Sequence, residues 1–152
     1  FCEIDKTDDI LVAALFHDVG KCFIPDEILK KNGSLLPSEY RYIMRHPLDS
    51  ARLLRTNFGE RIAEIAQNHH ERLDGSGYPF GLTSEEISFE AKIVAVADVF
   101  DAMISNRGYN VPKSPYEAAL ELCDMPHLFD ERVTSALFTL ATSDELDCVG
   151  GA

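Results

Sequence analysis

Between Phe89 and Ile104 the chain reads Phe-Glu-Ala-Lys-Ile-Val-Ala-Val-Ala-Asp-Val-Phe-Asp-Ala-Met-Ile, apolar enough for a wholly buried helix, yet with Asp98 and Asp101 near its middle. An aspartate is almost never fully buried without a partner. Whatever this chain folds into must bring something positive to that helix. Three residues apart, the two carboxylates share a face. A metal ion is the natural partner for Asp98, which leaves Asp101 to orient a histidine from outside the ligand set. A solvent-facing stripe is the plainer alternative, and the apolar neighbours argue against it.

The rest of the chain has the same helical period. Ile62, Ile65, Ala66 and His69 follow i, i+3, i+4, i+7 spacing. Thr7-Asp8-Asp9 can cap a helix through Ile10–Phe16, with Gly20 as its stop. Ile24–Leu29 predicts a short helix that stops at Asn32-Gly33. Pro37 opens another, which Pro47 should interrupt just after His46. Leu48–Arg55, Ser114–Cys123 and Phe129–Leu140 complete the set, with a break at Gly59. Strand-like alternation is nowhere sustained, so an all-α fold is expected. A chain of 152 residues with 45% hydrophobic content suits one domain with a real core. That domain is expected over residues 1–142, with a polar, glycine-ended tail over 143–152.

A net charge of −12 argues against a nucleic-acid polymer as partner, while a small anionic ligand remains compatible if bound cations invert the local potential. The four cysteines form no C-x-x-C pair, as expected for reduced thiols in a cytoplasmic protein. The longest apolar run, Ile10–Phe16, is too short to span a bilayer, so no membrane contact is expected.

Four of the five histidines, His17, His46, His69 and His70, sit at or near expected helix ends; His127 is the fifth. One such ring is ordinarily a half-buried side chain with a single hydrogen bond. Several imidazoles on core-facing positions need a common partner. His17-Asp18 sets a nitrogen beside a carboxylate oxygen, a donor pair that suits iron, manganese, zinc or nickel, and a carboxylate can bridge two ions.

His17-Asp18-Val-Gly-Lys21, His46-Pro47, His69-His70-Glu-Arg-Leu-Asp-Gly-Ser-Gly-Tyr-Pro79 and Ala97-Asp98-Val-Phe-Asp-Ala102 stand in this order along the chain. The set resembles the HD-GYP family, a branch of the HD-domain metal-dependent phosphohydrolases, from about Leu11 to about Leu140. Ile24-Pro25-Asp26 and Phe129-Asp130 also look like family positions. The resemblance implies a helical bundle of about seven to eight helices. It implies two or three divalent transition-metal ions, iron or manganese before zinc or nickel, held by His17, Asp18, His46, His69, His70 and Asp98.

It further implies hydrolysis of cyclic di-GMP, a bacterial second messenger, to the linear dinucleotide pGpG and onward to GMP. Asp18 and Lys21 would carry the catalytic work, Lys21 as a fixed positive charge at a phosphate oxygen or the nucleophile. Gly77 and Tyr78 would shape the wall of the site, and Arg107, Tyr109 and Lys113 would meet the substrate. Asp74 and Asp101 would support the ligands from behind. Gly108 replaces the family's usual proline, and Asn110 stands where a basic residue is common. The family usually has another helix upstream, with a His and sometimes a Glu ligand, that would pack on Ile10–Phe16. Here sixteen residues without histidine precede His17, and the sequence reads as a piece of something longer. A diguanylate cyclase, sensory or receiver domain is the expected neighbour in the full protein. Two other readings stay open: hydrolysis of another nucleotide, and a weakly active receptor or interaction domain.

Overall fold

A computed structural model describes residues 4–31, 33–106 and 111–143. It is helical throughout: α1 Ile4–Phe16, a 3-10 turn Val19–Phe23, α2 Asp26–Leu29, α3 Pro37–Ile43, α4 His46–Phe58, α5 Glu60–Gln67, α6 Phe89–Ile104, α7 Pro115–Cys123 and α8 Glu131–Thr142. Among the described residues the strand-like feature is an isolated antiparallel bridge between Asp74 and Thr83, inside a loop. The all-α expectation holds. The expected tail, Ser143 apart, lies outside the described residues.

Local chemistry explains most of the boundaries. Ser88 caps α6 by accepting from the Ala91 N–H, and Asp130 caps α8 by accepting from the Arg132 N–H. Ser114 and Glu117 form a reciprocal capping box at α7, the Glu117 carboxylate accepting from the Ser114 N–H at 3.0 Å. Two expectations need correction. Pro47 does not interrupt a helix; it lies in the first turn of α4, where its missing N–H is not needed. Helix α6 is not buried all round, since Ala97 and Asp101 are exposed.

Two cores share α6. On one side Val94 joins Ala13 of α1, Ala51 and Leu54 of α4, and Ile62, Ala63, Ile65 and Ala66 of α5. Ala13, Ala51, Ala63 and Ala66 are fully buried, and side chains this small let α1, α4 and α5 approach closely. On the other side Val96 packs with Leu122 and Phe129 under α7 and α8. Fully burying a side chain such as Ile65 is worth roughly 1.5–3 kcal/mol. The first core matters most here, because α1, α4, α5 and α6 all end or pass beside one cluster of histidines. No described helix is long and apolar enough to cross a membrane.

Candidate metal centre

Three helix ends each offer a carbonyl with no partner further along the helix, and each gives it to a histidine. His17 Nδ1 donates to the Ala14 carbonyl at 2.6 Å, His46 Nδ1 to that of Ile43 at 2.6 Å, and His69 Nδ1 to that of Ala66 at 2.6 Å. In each case the partner lies three residues back. A neutral ring that donates through Nδ1 has a lone pair on Nε2, so the same device aims three acceptors inward. This is why these histidines occur at helix ends.

The inward nitrogens meet two carboxylates. His46 Nε2 lies 3.0 Å from Asp18 Oδ1, and His69 Nε2 lies 4.0 Å from the same oxygen. His17 Nε2 lies 3.4 Å from Asp18 Oδ2 and 3.6 Å from Asp98 Oδ1. His70 Nδ1 lies 3.9 Å from Asp98 Oδ2. Two ligand sets result, Asp18–His46–His69–His70 and His17–His69–Asp98, the atoms of each lying within 4.8 Å of one another. Asp18 turns one oxygen toward each histidine group.

These residues fit a cation. Asp18 Oδ1, His46 Nε2 and His69 Nε2 are buried and have no hydrogen-bond partner. Two acceptors facing each other at 3.0 Å, as Asp18 Oδ1 and His46 Nε2 do, repel unless something positive lies between them. Nitrogen and carboxylate oxygen together suit divalent transition metals.

The electrostatics agree. Burial opposes ionisation of Asp18, but His17 and Lys21 overcome it and hold the carboxyl far below its ordinary range. Asp98 is also lowered against its burial, chiefly by the hydrogen bond from His17. Burial pulls His17 down, yet the Asp18 and Asp98 carboxylates outweigh it and raise the ring to about 10. Burial lowers His69 to about 4, and burial with the neighbouring His69 lowers His70. Buried rings held neutral are ready to ligate.

The turn after His17-Asp18 reaches α4 because Gly20 has no side chain. A Cβ there would lie 2.2 Å from the His46 carbonyl oxygen and 2.5 Å from the Ser50 nitrogen. The Gly20 N–H donates to Ser50 Oγ at 2.8 Å. Gly20 is therefore not a helix stop, as the sequence suggests, but the contact that sets Asp18 against His46.

The segment after His70 folds back as a brace. Glu71 is buried, and its two oxygens accept from the Phe80 N–H at 2.7 Å and the Leu82 N–H at 3.0 Å. Gly77 presses on the Glu71–Arg72 backbone, where a Cβ would lie 2.4 Å from the Arg72 nitrogen. The Tyr78 N–H donates to the His70 carbonyl at 3.2 Å, and the Tyr78 ring lies 4.7 Å from that of His70. Burial pushes the Tyr78 phenol up. Sequence reasoning missed Glu71, which has no local signal of its burial.

The structure thus brings His17, Asp18, His46, His69, His70 and Asp98 together. Lys21 Nζ sits 2.5 Å from Asp18 Oδ2. An open groove of about 610 Å³ adjoins the cluster, lined by Lys21, His70, Arg72, Asp98, Met103 and Lys113 among others. Lys113 is ion-paired with Glu121. Asp74 is exposed and accepts from Ser76 N at 2.9 Å, so it braces its own turn and not a histidine. Asp101 accepts from Ser105 Oγ at 3.3 Å at the exposed end of α6. The orienting task expected of these two carboxylates falls to main-chain carbonyls for His17, His46 and His69. His127 is exposed and belongs to neither ligand set. Arg107 and Tyr109 lie outside the described residues.

Residues 3–133 match the family model of the HD domain. The chain belongs to the HD domain family. It belongs to the HD-GYP branch, with Gly77-Tyr78-Pro79 as the signature segment. This HD domain is 40% identical over 127 residues to a cyclic di-GMP phosphodiesterase of Pseudomonas aeruginosa, covering 82% of this chain and 31% of the relative. It is 41% identical over 132 residues to a 3'3'-cGAMP-specific phosphodiesterase of Vibrio cholerae, covering 86% and 29%. A solved HDGYP protein from Bdellovibrio bacteriovorus superposes with a TM-score of 0.73 at 26% identity, covering 93% of this chain and 46% of that one. The HD domain therefore spans about a third of the length of those two curated relatives. Divalent metal binding comes with the family, and the two histidine–aspartate sets are where this chain would hold the ions.

Proposed function

We propose that this HD domain is a metal-dependent phosphodiesterase that hydrolyses cyclic di-GMP to linear pGpG. One observation carries the reading: Asp18 presents Oδ1 to His46 and His69 and Oδ2 to His17, at the edge of an open groove. His46, His69 and His70 would hold one ion and His17 and Asp98 a second, with Asp18 placed to serve both. The donor set suits iron, manganese, zinc or nickel, and the family resemblance puts iron or manganese first. When bound, the ions supply Lewis acidity toward phosphate oxygens and make water acidic enough to attack at neutral pH.

The chain's own residues do the rest. Main-chain carbonyls take the Nδ1 protons of His17, His46 and His69 and aim each Nε2 inward, where a bound cation would replace the proton that Asp18 and Asp98 otherwise hold on His17. Lys21, fixed by Asp18 at the groove wall, offers positive charge where negative charge develops on phosphate. Tyr78 covers one face of His70 and screens it from water. The unbridged Cys22 and Cys123 suit a reducing, cytoplasmic setting.

The Pseudomonas relative's name supports cyclic di-GMP, and the Vibrio relative's name supports a second reading, 3'3'-cGAMP. The test is hydrolysis of both dinucleotides by manganese-loaded and iron-loaded protein, with the linear product resolved by chromatography. Turnover of cyclic di-GMP at the higher kcat/KM is the expected result. Preference for 3'3'-cGAMP would select the second reading, and binding without turnover would make the domain a receptor.

A further inference from the structure

The chain carries a net charge of −12, yet a doubly charged anion must enter this groove. Three of its described lining residues are cations: Lys21, Arg72 and Lys113. Lys21 is taken by Asp18 and Lys113 by Glu121. Arg72 differs from both. Its Nη1 donates to the main-chain carbonyls of Glu71 at 2.7 Å and His69 at 3.2 Å. Its guanidinium lies over the Phe129 ring at 5.0 Å. Those partners are neutral, and no described carboxylate comes within ion-pair distance. Arg72 is therefore a half-buried cation, fixed in place, with donors left over and with its main electrostatic partner, Asp98, beyond ion-pair distance and committed to the histidine cluster. Such a group is poorly compensated until an anion arrives. It lines the groove beside His70 and Asp98 but belongs to neither ligand set.

We infer that Arg72 binds the second, non-reacting phosphodiester of a cyclic dinucleotide while the first lies at the histidine–aspartate cluster. The inference rests on the phosphodiesterase reading above and adds a residue and a requirement: the preferred substrates carry two phosphates. The fork geometry of the guanidinium suits two phosphate oxygens, whereas a lysine would offer a single point charge.

The test compares wild type, Arg72→Met and Arg72→Lys, all manganese-loaded and matched for metal content. One substrate is cyclic di-GMP, with two phosphodiesters; the other is bis(p-nitrophenyl) phosphate, with one. Arg72→Met should raise KM for cyclic di-GMP about tenfold or more, with kcat changed far less. The loss on bis(p-nitrophenyl) phosphate should be much smaller, and Arg72→Lys should recover part of the KM. An unchanged KM, or equal losses on both substrates at matched metal content, would overturn the inference. If Arg72→Met does not fold, Arg72→Lys decides: an intermediate KM supports the fork, and a wild-type KM overturns it. If wild type cleaves bis(p-nitrophenyl) phosphate but not cyclic di-GMP, the function proposed above fails separately. Calorimetric affinity for the dinucleotide then decides about Arg72. Weaker binding by Arg72→Met supports the role, and equal binding, or none by wild type, overturns it.

Discussion

At the end of α1 the chain turns within one short 3-10 segment, and backbone pressed on backbone at Gly20 holds it against α4. At the end of α5 it instead makes a long excursion to Ser88, and one buried carboxylate, Glu71, clips the returning loop by its N–H groups. Both ends deliver ligands to the same cluster. The first leaves no room for a methyl group; the second adds, to a similar close approach at Gly77, two hydrogen bonds that chemistry can remove one at a time. Position is enforced by backbone contact on both sides of the metal centre, and on the second side by a satisfied buried carboxylate as well.

The sharpest way to break this comparison is Gly20→Ala. The new Cβ meets the His46 carbonyl and the Ser50 backbone, neither of which can yield as a flexible side chain would. Overpacking of this kind costs roughly 1–3 kcal/mol, and more where backbone is the obstacle. Asp18 should move away from His46. The variant is expected to melt several degrees lower and to lose most of its bound metal, checked by calorimetric melting and elemental analysis. A variant with full metal content would show that the close approach is not what sets Asp18.

A smaller effect is expected from Glu71→Gln. The amide oxygen can still accept one N–H, but its NH2 group faces the other, leaving a buried donor unmet at a cost of about 1–3 kcal/mol. Amide hydrogen exchange at Phe80 and Leu82 should speed up well before exchange in α5 or α6 does. Metal held with His46 and His69 should survive while turnover falls. Uniformly faster exchange across the domain would instead mean that Glu71 supports the whole fold.

Much of this was legible beforehand, and the reasons differ by residue. Helix α6 spans Phe89–Ile104 as its pattern suggests, because Ser88 supplies a cap and the run is apolar. The helix-end histidines stood out because imidazoles on core-facing positions demand partners. Gly20, Pro47, Glu71 and Arg72 were not legible in their roles. A glycine near a helix end reads as a stop, and a close approach to Ser50, thirty residues on, leaves no local mark. Glu71 and Arg72 show their roles only once the loop is seen to fold back over them. Asp74 and Asp101 read as supports for the ligands because carboxylates often orient histidines, but here unspent helix carbonyls were already in place.

The gentlest probe of the comparison is pH, using protein stripped of metal. The two helix ends carry histidines shifted in opposite directions. His69 is held near 4 by burial, so the unfolded chain takes up its proton first. Its contribution to stability is complete above about 6.5 and is lost as pH falls from there through 4. His17 is raised to about 10 by the two carboxylates, although burial opposes the shift. Its contribution is complete below about 6.5 and is lost as pH rises through 10. The melting temperature should therefore peak near neutral pH and fall on both sides. His69→Gln should flatten the acid limb and His17→Gln the alkaline one. A stripped protein whose stability rises steadily to pH 9 would contradict the alkaline half.

The central claim is that Asp18 joins two ligand sets into one dinuclear site. Native mass spectrometry of the stripped protein titrated with manganese tests it directly. Two ions per chain should bind to wild type, and Asp18→Asn, which keeps the shape but replaces one carboxylate oxygen by a non-ligating NH2 group and leaves the other uncharged, should bind markedly less at both sites. A wild type that saturates at one ion, or an Asp18→Asn variant that still takes up two with unchanged affinity, would contradict the account.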